Sequence, residues 1–281
     1  MAYFFISCFA DEIAADIATQ IRVMKEQGIR YVEMRDVDGI SVLKHDLNSV
    51  REIKKKLDAA GIRLSAIGSY IGKQPITDEF THLEELKYCA EIAGILEVSN
   101  IRMFSFFIPA GEAAAFRDVV MERLSQLLEV AKGAKLLLLH ENGGGVYGDT
   151  AERCLDIVKT MNSPELKLIF DPGNFIQCGV EPYPYAWELL KDYVVYIHIK
   201  DAIKGTGASM PAGSGDGRIA DLLWDLDKRD TEVFLSIEPH LTDFYGFDAL
   251  EPSLKTLPAG NNIEKFTLAH TALKQLLATI Q

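Results

Sequence analysis

A short apolar, β-rich run followed by a longer segment of helical period recurs eight times along this chain, and no other feature restricts its fold so strongly. The runs are Tyr3–Cys8, Tyr31–Met34, Arg63–Ile67, Asn100–Phe104, Lys135–His140, Lys167–Phe170, Tyr193–Ile199 and Glu232–Ile237. Near-continuous apolar runs suit parallel strands covered on both faces. The helical segments are Asp11–Gln27, Ser49–Ala60, Asp78–Ala93, Glu112–Ala131, Asp149–Met161, Pro182–Lys191, Arg218–Arg229 and Ile263–Ile280. Acidic or hydroxyl residues open several of them, and Gly28, Gly61, Gly94 and Gly133 stand where four should close. Eight such units predict a (β/α)8 TIM barrel forming a single domain over residues 1–281. An open doubly wound sheet is the alternative, but the first turn, Cys8-Phe9-Ala10-Asp11, lacks the GxGxxG pattern that such a sheet would carry.

Composition removes several partners. The net charge of −12 repels phosphate backbones, and the densest basic run, Lys54-Lys55-Lys56, falls on the polar face of a predicted helix. Nucleic acid is therefore not an expected partner. The start MAYFFISCFADE has no basic leader, and no apolar run approaches membrane-spanning length, so a cytoplasmic protein without a membrane partner is expected. Cys8, Cys89, Cys154 and Cys178 are scattered without a CxxC pair and read as reduced thiols.

Barrel enzymes carry their chemistry at the C-terminal ends of the strands. The fifth run ends LLLLHEN, placing His140 and Glu141 there; the sixth ends LIFDPGN, placing Asp171 and Asn174; the seventh reads YIHIKD, placing His198 and Lys200; the eighth ends LSIEPH, placing Glu238 and His240. A charge at the end of a buried strand is costly unless it is paired or metal-bound. Glu141, Asp171, His198 and Glu238 together make a mixed N/O donor set suited to one divalent cation, Mn²⁺, Co²⁺, Mg²⁺ or Zn²⁺. The competing reading is a metal-free salt-bridge network in which Lys200, Arg35 and Arg102 neutralise the acids. Glu33 and Arg35 lie two apart and share a strand face. With Ser69, Lys73, Arg102, Ser105, His140, Asn174, Lys200 and His240 they are candidate substrate contacts, each with a structural role as the alternative. Lys73 is a candidate to meet an anionic tail; Phe106, Phe107, Tyr245 and Phe247 are candidates to wall a sugar ring, with plain packing an equal alternative. His45 and His82 read as surface residues, and His270 as helix surface or helix packing. The long segments 202–217 and 239–262 read as lids or binding loops.

The motifs HEN, DPGN, HIKD and IEPH, in this order, resemble the xylose isomerase-like barrel superfamily, which includes ketose 3-epimerases, hydroxypyruvate isomerase, inosose dehydratase and endonuclease IV. AIGSYIGK (66–73) and RMFSFF (102–107) are similar to a subgroup described only as sugar phosphate isomerase/epimerase-like. The resemblance implies that Glu141 and Glu238 are metal ligands and catalytic bases, and that Asp171 and His198 complete the metal set. It implies an isomerase or epimerase of a sugar or sugar derivative, acting by proton abstraction next to a carbonyl through a metal-bound enediolate. A dehydratase of a keto-polyol such as an inosose is the alternative; a non-catalytic ligand-binding barrel and an endonuclease-like hydrolase follow. Many members have a histidine where this chain has Asn174, which with the acidic charge disfavours the nuclease. The expected partner is a small carbohydrate, phosphorylated or acidic forms included, with homo-oligomerisation open.

Overall fold

In a computed structural model, which describes residues 2–244 and 260–280, eight parallel strands form a nearly closed barrel with helices outside it. The strands are β1 Tyr3–Cys8, β2 Tyr31–Met34, β3 Arg63–Ile67, β4 Asn100–Met103, β5 Leu137–Glu141, β6 Leu166–Phe170, β7 Val194–Ile199 and β8 Glu232–Ile237. Hydrogen-bonded order runs β1-β8-β7-β6-β5-β4-β3-β2, and β2 returns to the side of β1. The apolar runs thus become strands within a few residues of the expected bounds.

The helices are α1 Ile17–Gln27, α2 Leu47–Ala60, α3 His82–Leu96, α4 Ala113–Ala134, α5 Ala151–Met161, α6 Pro172–Gln177, α7 Trp187–Leu190, α8 Ile219–Asp227 and α9 Asn262–Ala278. Gly28 and Gly61 close α1 and α2 in the left-handed conformation (φ 73° and 70°), as expected. Gly94 and Gly133 do not: they lie inside α3 and α4, which run on to the left-handed residues Glu97 and Lys135. The first helix also starts later than its sequence implies. Asp16, whose side chain accepts from Thr19 N, caps α1, while Ala10–Glu12 form a separate buried 3₁₀ turn.

Two cores result. The larger lies between strands and helices; the smaller, Ala66, Leu139, Ile169 and Tyr196, fills the barrel. Below it the rings of Phe5, Tyr31 and Phe234 pack 5.1–5.7 Å apart. Level with Tyr196, the hydroxyls of Ser7 and Ser65 meet at 2.6 Å and Ser65 reaches Tyr196 Oη at 2.8 Å. The next inward-facing layer, at the C-terminal mouth, is ionisable. The two-residue period of the strands carries apolar positions such as Leu139, Ile169 and Tyr196 directly to Glu141, Asp171 and His198.

Candidate metal centre and active site

Glu141, Asp171, His198 and Glu238 are 0–2% exposed, and one ligand atom from each lies within 4.8 Å of all the others. The geometry centres on His198 Nδ1, which faces Glu141 Oε1 at 3.1 Å, Glu238 Oε2 at 3.2 Å and Asp171 Oδ2 at 3.9 Å. Three of these atoms, Asp171 Oδ2, His198 Nδ1 and Glu238 Oε2, have no hydrogen-bond partner despite full burial. Buried polar atoms are almost always paired, so unpaired acceptors converging on one space fit a cation held there.

The surrounding charge fits too. Asp11, Glu12, Glu33 and Asp36 are buried around the same mouth, and the acids outnumber the buried cations Arg35, Arg102 and Lys200. The salt-bridge network expected as the metal-free alternative is present, but it spends the guanidiniums on outer oxygens. Arg35 donates to Asp11 at 2.7 Å and to Glu238 Oε1 at 2.9 Å; Arg102 donates to Glu141 Oε2 at 3.2 Å and lies 3.5 Å from Glu238 Oε1. The inner atoms, Glu238 Oε2 and Asp171 Oδ2, are left facing His198. Electrostatics follows this arrangement. Burial raises the Asp171 carboxyl well above its usual range, more than Lys200 lowers it. Burial acts the same way on Glu141, but His198, protonated while no cation takes its Nδ1, and Arg102 outweigh it and hold this carboxyl at about 2.

Local sequence explains the placement. Asp171 is the N-cap of α6: its Oδ1 accepts from Asn174 N at 2.8 Å, and Pro172 occupies the first helical position. Asn142, from the HEN motif, clamps the Asp171 backbone by two 2.9 Å bonds, one to its N–H and one to its carbonyl. A Cβ on Gly173 would stand 2.6 Å from Lys200 Cγ, so glycine lets α6 close on the end of β7. Asn174 links the two strands, accepting from Lys200 Nζ at 2.8 Å and donating to Glu141 Oε1 at 3.0 Å.

Several expected substrate contacts are turned elsewhere. His140 and Glu141 are adjacent and face opposite sides of β5; His140 is fully buried on Ser105 Oγ at 2.9 Å, which also accepts from Gly148 N. That pair therefore braces the loop after β5. Ser69 donates to the Arg102 carbonyl and accepts from Ile71 N, a local role. Glu33, expected beside substrate, bonds His198 Nε2 at 3.1 Å, behind the ring. Phe106, expected as a sugar wall, packs outside the barrel on Phe80 at 5.6 Å. Tyr245 and Phe247 lie outside the described residues. Lys73 Nζ sits 4.6 Å over the Phe104 ring, near the rim. His240, with Lys200 and Arg35, remains at the mouth: its backbone N–H donates to Glu12, and its Nε2 lies 3.5 Å from Glu12 and Glu238.

The segment 202–217 is anchored rather than loose. The carboxylate of Asp201, fully buried, accepts from the backbone N–H groups of Ala202, Gly213, Gly215 and Gly217 at 2.8–3.0 Å. His82 is no surface residue: it is 9% exposed, and its Nδ1 accepts from Gly72 N at 2.8 Å. His270 is 3% exposed against Gln27. Residues missed by the sequence reading are Phe9, Asp11 and Glu12. They directly follow β1, the same signal that marked the last four strands, but Asp11 and Glu12 are absorbed there into a helix start.

Among the described residues no helix is long and apolar enough to cross a membrane, and all four cysteines are free thiols. The family described as xylose isomerase-like TIM barrel matches residues 21–260. No curated protein matches the chain in sequence. Solved structures do match its fold. An IolI protein with a bound zinc atom superposes with a TM-score of 0.76 at 16% identity, covering 98% of this chain and 99% of that one. The Escherichia coli 3-keto-D-glucoside 4-epimerase YcjR gives 0.69 at 16% identity, over 99% and 100%. The probable 3-DHS dehydratase AsbF from Bacillus anthracis gives 0.71 at 14%, over 98% and 99%.

Proposed function

Because the chain belongs to the xylose isomerase-like TIM barrel family, we propose that it isomerises or epimerises a sugar or sugar derivative by proton transfer next to a carbonyl, using one divalent cation. Convergence of the four ligand atoms within 4.8 Å, at the C-terminal mouth, carries this reading. It is supported by neighbours of the same fold described as an epimerase and as a zinc-bound protein. Glu141, Asp171, His198 and Glu238 would hold the cation, which supplies Lewis-acid polarisation of the substrate carbonyl.

The protein groups do the rest. Glu141 from β5 and Glu238 from β8 stand on either side of His198 Nδ1, at 3.1 and 3.2 Å. One removes the proton from the carbon beside the carbonyl and the other returns one. Return to the same carbon from the opposite side epimerises; return to its neighbour isomerises. Arg102, near both carboxylates, keeps the two bases ionised and apart. Lys200, its Nζ held by Asn174 at the mouth, would stabilise the oxygen that gains charge as the proton leaves.

The test is incubation of the full chain with Mn²⁺, Co²⁺ or Zn²⁺ and a panel of ketoses, ketose phosphates and inososes in D₂O. Deuterium at the carbon beside the carbonyl, with no mass lost, is the expected result. A product lighter by one water identifies a dehydratase instead. A panel that exchanges no hydrogen with any cation refutes the proton-transfer reading.

A further inference from the structure

Glu33 is a fully buried acid that the proposed reaction does not use. It stands on β2, across the barrel from His198 on β7, and its Oε2 meets His198 Nε2 at 3.1 Å. The other ring nitrogen, Nδ1, is the one that faces Glu141, Glu238 and Asp171. We propose that Glu33 is the positioning residue of the cation site, fixing the His198 ring with its proton on Nε2 so that the Nδ1 lone pair is presented to the space shared by the three acids. This rests on the cation-dependent reading above.

A carboxylate oxygen only accepts, so the ring nitrogen bonded to it must carry hydrogen. A neutral imidazole has one N–H, and once Nε2 holds it Nδ1 is free to act as a ligand. The ring has little room to turn away. The Phe9 edge meets it at 5.2 Å and 81°, and Tyr196 closes the layer below at 5.9 Å and 82°. Glu33 is aimed by a register shift between Val32 and Glu33 in the β2–β3 pairing, as bulges next to sites commonly re-aim side chains. Gly68 leaves the space: a Cβ there would meet Phe9 Cε1 at 2.7 Å and Glu33 Cγ at 3.5 Å. The anion behind the ring also raises the basicity of the nitrogen in front.

Titration of the full chain with Zn²⁺, a diamagnetic ion that binds N/O sites tightly, tests this without any turnover. Glu33→Gln keeps the size and removes the charge. It is expected to weaken Zn²⁺ binding about 10- to 100-fold, as loss of such a partner does at other histidine sites. Binding within about threefold of wild type by the folded variant overturns the proposal. If Glu33→Gln does not fold, the wild type decides: nitrogen NMR of ¹⁵N-histidine protein loaded with Zn²⁺ should show the His198 proton on Nε2. A proton on Nδ1 overturns the role, and so does an Nε2–H that exchanges freely with solvent, since a proton held by the Glu33 carboxylate is protected and shifted downfield. Wild type that takes up no Zn²⁺ overturns both this and the cation-dependent reading. Wild type with the expected tautomer but no hydrogen exchange on any substrate defeats the reaction alone and leaves the Glu33 role standing.

Discussion

Asn174 shows how one amide divides the labour at the mouth. Lys200 Nζ fixes which end of the amide is oxygen, so the nitrogen end must face Glu141 and Asn142, where it donates at 3.0 and 2.9 Å. Glu141 is thereby held by Asn174 at Oε1 and by Arg102 at Oε2; Glu141→Gln keeps an oxygen for only one of these donors, a loss offset by relief of the repulsion between Glu141 and Glu238. That substitution should cost on the order of 10²–10⁴ in turnover with little change in thermal unfolding. Steady-state rates within tenfold of wild type would remove Glu141 from the role of base. At this scale the sequence was informative where an ionisable residue directly ends an apolar run, as Glu141, Asp171, His198 and Glu238 do. It was blind where the same kind of residue also makes a good helix start. Asp11 and Glu12 precede IAADIATQI, whose period is helical, yet the chain turns first and places Asp11 on Arg35. Which face of a histidine an acid such as Glu33 occupies depends on a strand bulge, which single-strand alternation does not encode.

Among the elements, the segment after β7, expected as a lid or binding loop, is held at its base by one buried carboxylate. Its glycines are what let the backbone wrap that carboxylate. A Cβ at Gly215 or Gly217 would sit 2.4 or 2.7 Å from Asp201 Oδ1. Asp201→Asn replaces one accepting oxygen by a donor that faces backbone N–H groups. It should destabilise by about 1–3 kcal/mol and expose residues 203–217 to protease. Limited proteolysis read beside thermal unfolding measures both, and an unchanged cleavage pattern would show that the anchor is dispensable. Gly68→Ala tests the packing under the site. With Phe9 Cε1 only 2.7 Å from the new methyl, the ring must shift and disturb its 5.2 Å contact with His198, at a cost of about 1–3 kcal/mol together with weaker Zn²⁺ binding. Helix ends were the least legible elements for a related reason. Gly94 and Gly133 look like stops, but α3 gains burial of Leu96 against the barrel by continuing past Gly94, and α4 runs one residue past Gly133 before its left-handed end at Lys135.

For the whole molecule, strand-and-helix alternation sufficed to give the barrel, because covering every strand on both faces leaves few arrangements of eight such units. Stability then carries the imprint of the mouth and of the buried histidines. Burial lowers His82 and His140 to about 4, against about 6.5 in the unfolded chain. Below 6.5 the unfolded state takes up protons that the folded state refuses. This contribution is therefore complete above 6.5 and lost progressively as pH falls towards 4, seen as a falling Tm. His82→Asn, whose side-chain oxygen replaces Nδ1 opposite Gly72 N, should flatten part of that fall. The acid cluster makes a second, opposite demand. Asp171 Oδ2 has no hydrogen-bond partner, and burial together with the Glu141 and Glu238 charges disfavours its ionised form, so without a cation this carboxyl is a burden on folding rather than a support. A cation that binds only the folded state stabilises it by about 2.7 kcal/mol at a hundred times its Kd, several degrees in a chain of this length. Asp171→Asn keeps the α6 cap through Oδ1 but removes the charge, so it should leave the Tm of cation-free protein equal or higher while abolishing the rise on adding Zn²⁺. Unfolding curves of both proteins, with and without Zn²⁺, separate the two effects: a variant that loses stability without cation would mean that Asp171 supports the fold, and one that still gains on adding Zn²⁺ would remove Asp171 from the ligand set.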